Sequence, residues 1–252
     1  MELFAQYKNV PGYHTSAKYS PESRPDVSVV IPAHNGRTAL MATLDGLVPH
    51  LAQEFQYELV IVDDGSVSPL DDLADLYPHL SVLTGPNQGK GSALRAGLAF
   101  ASGQALAFID VDGDYGPKAL VSMIKMVHSG ATKCVIGQRY TYSSTKLRAA
   151  ASKAFAWWVR AIHNMDFDTQ AGIKVFDAGL VSSVLPILGA TGFAIDVDIL
   201  SAMRHLGFAP PVLYPVFLTT QTTSTVTMRR SSLALLEVLR VRRSSTSWIA
   251  QP

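Results

Sequence analysis

Short β-branched apolar runs recur along this chain, each closed by polar residues and followed by a stretch with helical spacing. That alternation restricts the fold more than any other feature. Val27-Ser28-Val29-Val30-Ile31-Pro32 is the first run, and similar ones lie at Tyr57 to Val62, Leu80 to Thr84, Ala105 to Ile109 and Lys133 to Ile136. Apolar runs of this length suit strands buried on both faces. Leu120, Met123, Ile124 and Val127 follow the i, i+3, i+4, i+7 spacing of an amphipathic helix. Strand and helix in turn imply an α/β fold with a mostly parallel sheet flanked by helices, whose ligands bind beyond the carboxyl ends of the strands. At 252 residues a single domain with modest appendages is expected. Residues 1–25 lack apolar periodicity and read as an irregular N-terminal extension. Residues 26–218 read as the domain, and residues 219–252, rich in Ser, Thr and Arg, as a C-terminal tail.

Charge excludes some partners and suggests others. With 21 Lys+Arg against 20 Asp+Glu the net charge is +1, so bulk nucleic-acid binding by a strongly basic protein is not expected. The acids are unevenly placed, however. None lies between Asp114 and Asp166, where Lys118, Lys125, Lys133, Arg139, Lys146, Arg148, Lys153 and Arg160 all fall, and Glu237 is the only acid after Asp198. Taken singly these are solvated surface cations; as a block they favour an anionic substrate or surface. The single cysteine, Cys134, rules out an internal disulfide or a multi-cysteine metal site. Met1-Glu2-Leu3-Phe4 does not resemble a secretory signal, and apolar runs stop short of the roughly 20 residues a spanning helix needs. A cytoplasmic location is expected. The stretch Leu147 to Met165 carries Trp157, Trp158 and Arg160 in a helical pattern, which reads either as a helix lying at a membrane surface or as a core helix.

Polar residues at the strand ends carry the chemistry. They are Ala33-His34-Asn35, Asp63-Asp64-Gly65-Ser66 and Asp110-Val111-Asp112-Gly113-Asp114, each of which also makes an acceptable turn. In extended chain Asp110 and Asp112 point to the same side, so they can converge on one hard divalent cation. Gly85-Pro86-Asn87-Gln88-Gly89-Lys90-Gly91-Ser92 fails the spacing of a P-loop and of the dinucleotide fingerprint, leaving a glycine-flanked lysine at a helix start. Lys90 there is a diphosphate contact or a solvated cation. Asp168 returns a carboxylate to the cationic block and stays ionised, as a base, as a group orienting the acceptor, or as an exposed loop acid.

These segments, with Gly137-Gln138-Arg139-Tyr140, Asp168-Thr169-Gln170-Ala171-Gly172-Ile173-Lys174 and Gly192-Phe193-Ala194-Ile195-Asp196-Val197, come in the order and approximate spacing of family 2 glycosyltransferases. Among these the chain most resembles the polyprenyl-phosphate sugar transferases, the dolichyl-phosphate mannose and glucose synthases. The resemblance covers about residues 26 to 218. It implies a GT-A, Rossmann-like fold, a UDP- or GDP-sugar donor, a magnesium or manganese ion, and inversion at the anomeric carbon. It places Pro32, Ala33, Asn35, Asp63, Asp64, Lys90, Asp110 and Val111 on the donor, Asp110 and Asp112 of the DxD motif on the metal, and Arg139 and Asp168 at the acceptor as catalytic residues. The implied acceptor is a polyprenyl phosphate or another anion, with peripheral membrane contact. Gly36 departs from the family, where an acid often follows the Asn of the first motif, and no C-terminal hydrophobic hairpin follows Leu218. A soluble small-molecule acceptor and a non-catalytic nucleotide-sugar binder are the alternatives, and a nucleotidyltransferase a more distant one.

Overall fold

The computed structural model describes residues 10–17, 23–111, 115–140, 160, 163, 165, 167–169, 171–217, 238 and 241. The strands are β1 (His14–Ala17), β2 (Val27–Ala33), β3 (Tyr57–Asp64), β4 (Leu80–Gly85), β5 (Ala105–Ile109), β6 (Cys134–Tyr140), β7 (Ile173–Asp177) and β8 (Val212–Phe217). They form one 8-stranded sheet in the order β1-β4-β3-β2-β5-β7-β6-β8. Pairings β2–β3, β2–β5, β3–β4 and β6–β8 are parallel, while β1 and β7 run against their neighbours. All five strands expected from apolar runs are present.

Helices α1 (Arg37–Glu54), α2 (Leu73–Leu76), α3 (Lys90–Phe100), α4 (Pro117–His128), α5 (Ala178–Val184) and α6 (Ile195–His205) flank the sheet. Alternate strand residues feed two cores. Val30, Val60, Val62, Phe108, Ile136 and Phe176 pack with α3, α5 and α6 on one side. Val29, Ile31, Leu59, Ile61, Ala107 and Val175 pack with α1 and α4 on the other. Each large side chain fully buried this way contributes about 1.5–3 kcal/mol relative to exposure. Gly97 lets α3 approach closely: a Cβ there would lie 2.3 Å from Val30 Cγ1.

Two expectations about the termini are corrected. The segment 1–25 is not irregular throughout, because His14–Ala17 pairs antiparallel with β4 and closes one edge of the sheet. Its lack of apolar periodicity reflects an edge strand with little to bury. In the span expected to be a tail, Val238 and Val241 are buried in the first core, and the Val238 carbonyl lies 3.1 Å from His163 Nε2. The Trp157/Trp158 helix falls outside the described residues, as do Lys146 and Arg148. Among the described residues no helix is long and apolar enough to cross a membrane.

Strand β7 carries a distant loop to the rim formed by the carboxyl ends of β2, β3 and β5. It enters antiparallel between β5 and β6, so its start lies at the carboxyl end of β5. The Asp110 amide donates to the Gly172 carbonyl at 2.8 Å, which fixes the loop before β7 beside the end of β5.

Candidate active site

The rim begins with two interlocked loops. Asn35, with φ 54, donates its backbone N–H to Ser66 Oγ at 2.9 Å and accepts the Val67 amide on Oδ1 at 2.8 Å. Pro32 and Ala33 end β2 beside Val62 and Asp63. His34 Nδ1 lies 2.9 Å from the Asp64 carbonyl, which accepts its proton. Gly36 caps α1, and a Cβ on it would lie 3.3 Å from Val111 Cγ2. An acid at position 36 would therefore press on Val111, whose carbonyl accepts a bond from Thr43 Oγ1 at 2.9 Å.

The two adjacent acids of β3 have different tasks. Asp63 is 0% exposed and accepts the Ser66 and Leu70 amides at 2.8 and 3.2 Å, so it shapes the loop after β3. Asp64 accepts the Gln88 and Gly89 amides at 2.8 and 2.9 Å, one on each oxygen. It clamps the segment leading into α3. Gly89, with φ 95, and Gly91 lie against the backbone of Thr191 and Gly192, where a Cβ on either would come within 2.8 Å of backbone atoms. The Ser92 amide is capped by the Thr191 carbonyl at 3.0 Å, and Asp198 holds that loop through the Gly189 and Ala190 amides at 2.7 and 2.8 Å. At the start of α3 the Gly89 and Ser92 amides are thus occupied.

Lys90 is neither solvated nor loose. Its Nζ lies 2.9 Å from Asp110 Oδ1 and 3.7 Å from Asp196 Oδ2, above the Phe108 ring at 4.9 Å. Burial alone would lower its pKa, but the Asp110 and Asp196 charges outweigh that and hold the ammonium protonated. Asp196 also takes Lys174 Nζ on Oδ1 at 2.6 Å, with both side chains buried. Asp110, Lys90, Asp196 and Lys174 form a line of alternating charge running from rim to core.

The far side of the rim carries an ion pair. Arg139 Nε and Nη2 donate to Asp168 Oδ2 and Oδ1 at 2.6 and 3.0 Å, a two-pronged pair. Burial works against the guanidinium charge, and the Asp168 carboxylate more than restores it, so the Arg139 pKa is raised. Tyr115 OH accepts the Gly172 amide at 2.8 Å; burial and then the Asp110 charge raise its pKa.

Asp112 lies outside the described residues, and among those described no group of three or more His, Cys, Asp or Glu is placed to hold a metal. Asp110 nevertheless fits a hard divalent cation. Its side chain is 32% exposed at the rim, and the space beside Oδ2 stays open only because residue 172 has no side chain, a Cβ there being 2.0 Å from that oxygen. Sequence reasoning gave no role to Asp196, Lys174, Tyr115 or Gly172. The motifs containing Asp196, Lys174 and Gly172 were visible, but which side chain points toward Lys90 depends on how α6 and β7 pack.

Residues 28–182 match the family model described as Glycosyl transferase family 2. A dolichyl-phosphate beta-glucosyltransferase of Dictyostelium discoideum is 25% identical over 204 residues, covering 71% of this chain and 62% of that protein. An undecaprenyl-phosphate 4-deoxy-4-formamido-L-arabinose transferase of Serratia proteamaculans (strain 568) is 27% identical over 202 residues, covering 72% of this chain and 61% of that protein. The chain thus spans about three fifths of the length of these relatives. Glucosyl-3-phosphoglycerate synthase from Mycobacterium tuberculosis, solved with Mn2+, UDP-glucose and phosphoglyceric acid, aligns with TM-score 0.68 at 18% identity, over 85% of this chain and 77% of that one. The fold is the GT-A fold expected from the sequence.

Proposed function

The chain belongs to glycosyl transferase family 2, and from that premise we propose that it moves a sugar from a UDP- or GDP-sugar to a polyprenyl phosphate. The observation that carries the acceptor reading is the Arg139–Asp168 pair, a half-buried guanidinium fixed by two hydrogen bonds on the same rim as Asp110. With Nε and one Nη2 N–H turned to Asp168, the remaining Nη1/Nη2 edge of the guanidinium is the one that matches a phosphate. The names of the relatives from Dictyostelium and Serratia support the same acceptor class.

A phosphate nucleophile simplifies the chemistry. Its second pKa is about 6, so at neutral pH it needs no base to remove a proton. Asp168 then serves to orient Arg139 toward the incoming phosphate, and inversion results from a single displacement. On the donor side Pro32, Ala33, Asn35 and Val111 line the nucleoside end, Asp63 and Asp64 hold the loops that shape it, and Lys90 faces the diphosphate. Asp110 and Asp112 would hold a magnesium or manganese ion, which when bound offsets the negative charge developing on the departing nucleoside diphosphate. A lipid acceptor requires peripheral contact with a membrane.

The test is incubation with UDP- and GDP-sugars, Mn2+ and a polyprenyl phosphate. Nucleoside diphosphate released only when the lipid phosphate is present supports the reading. Pyrophosphate release would indicate nucleotidyl transfer, equal release with a soluble alcohol would remove the lipid acceptor, and no release would leave a nucleotide-sugar binder.

A further inference from the structure

One oxygen of Asp196 lacks a hydrogen bond. Its side chain is 1% exposed, Oδ1 is taken by Lys174, and Oδ2 is buried with no hydrogen-bond partner among the described residues. An orphaned carboxylate oxygen in the interior is costly unless a cation can reach it. Lys90 Nζ stands 3.7 Å away, while it contacts Asp110 Oδ1 at 2.9 Å, and a shift of under about 1 Å would complete a hydrogen bond. The Phe108 ring lies 4.9 Å from Lys90 Nζ and 5.2 Å from Lys174 Nζ. It gives the Lys90 ammonium an attractive floor whichever acid it touches.

We propose that Lys90 is a positioning residue that changes partners, holding Asp110 Oδ1 while no cation is there and moving to Asp196 Oδ2 when one arrives. This rests on the reading of Asp110 as a cation ligand. A divalent ion arriving alone must displace the ammonium and then lie beside it, so like-charge repulsion opposes entry. A nucleoside diphosphate supplies negative charge that offsets both cations. Lys90 therefore makes the metal enter together with the donor, and by reciprocity the metal tightens the donor by the same factor. Asp196 is what makes the exchange reversible, because it offers the displaced ammonium a buried carboxylate within the same charge line.

The exchange is tested by Mn2+ titration followed by electron paramagnetic resonance, with and without UDP or GDP, and with a thermal melt as the folding control. The parent should bind Mn2+ weakly alone and much more tightly with nucleotide. Lys90→Gln and Lys90→Met should bind Mn2+ alone roughly tenfold more tightly than the parent, with a smaller gain on adding nucleotide. Asp196→Asn should bind it more weakly, since Lys90 then has only Asp110. If Asp196→Asn fails to fold with Lys174 left unpaired, the Lys90 variants decide alone. Free Mn2+ bound no more tightly by the Lys90 variants than by the parent overturns the exchange while leaving Asp110 as a ligand. No Mn2+ binding by any folded protein, even with nucleotide, overturns the ligand reading and the exchange with it.

Discussion

Gly172 and Asp110 share one space: the Gly172 carbonyl accepts the Asp110 amide at 2.8 Å, and a Cβ on Gly172 would lie 2.0 Å from Asp110 Oδ2. Strand β7 reaches the rim beside β5 only because residue 172 has no side chain. Gly172→Ala should cost about 1–3 kcal/mol through overpacking and turn Asp110 away from the rim. Denaturant unfolding should show the first effect, and loss of Mn2+-dependent nucleotide affinity the second. A variant equal to the parent in both would show that Asp110 has room to spare.

Asp63 is buried with both oxygens on loop amides. Asp63→Ala leaves the Ser66 and Leu70 amides without their acceptor, at about 2–4 kcal/mol in total. That loss should appear in unfolding curves recorded without nucleotide. Parent-like stability combined with weaker nucleotide binding would instead make Asp63 a direct donor contact.

Arg139 and Asp168 act as a pair, so their variants should differ in kind. Arg139→Ala should raise the acceptor KM, leave donor affinity nearly unchanged and reduce the salt sensitivity of acceptor binding. Asp168→Asn should keep the fork's position in part and lower kcat/KM for the lipid phosphate without removing an alkaline-rising limb from the pH–rate profile. A profile that loses such a limb would restore Asp168 as a general base.

Cys134 opens β6 and is buried, which pushes its thiol well up despite the opposing charge of Lys174. The thiolate is the reactive form, so native protein at pH 8 should resist alkylation and react fully in denaturant. Rapid labelling under native conditions would mean that β6 opens readily and that the neighbouring Arg139 is not rigidly held.

The sheet was legible because Val27–Pro32, Tyr57–Val62 and Ala105–Ile109 are buried on both faces and carry few polar residues. Strand β1 was not, since His14-Thr15-Ser16-Ala17 lies at an edge and needs little apolar surface. Asp110 stood out at a strand end, Lys90 beside glycines, Asp168 as the acid next to the cationic block and Arg139 through that block and the family resemblance, and the structure pairs Lys90 with Asp110 and Arg139 with Asp168. Their partners were not legible. That Lys90 meets Asp196, more than a hundred positions later in the sequence, depends on Gly89 and Gly91 letting α3 touch the loop before α6. Likewise Asp63 and Asp64 look equivalent in sequence, yet successive strand residues face opposite ways, so one supports the loop after β3 and the other the loop before α3.

The most direct measurement of the central claim is transfer of a radiolabelled sugar from UDP- or GDP-sugar into an organic-extractable product, using a short-chain polyprenyl phosphate, Mn2+ and the purified full chain. The expected result is label in a sugar phosphopolyprenol of inverted anomeric configuration, formed in step with nucleoside diphosphate and strongly reduced in Arg139→Ala. Label that stays in the aqueous phase, or a lipid product formed equally well by Arg139→Ala, would contradict it.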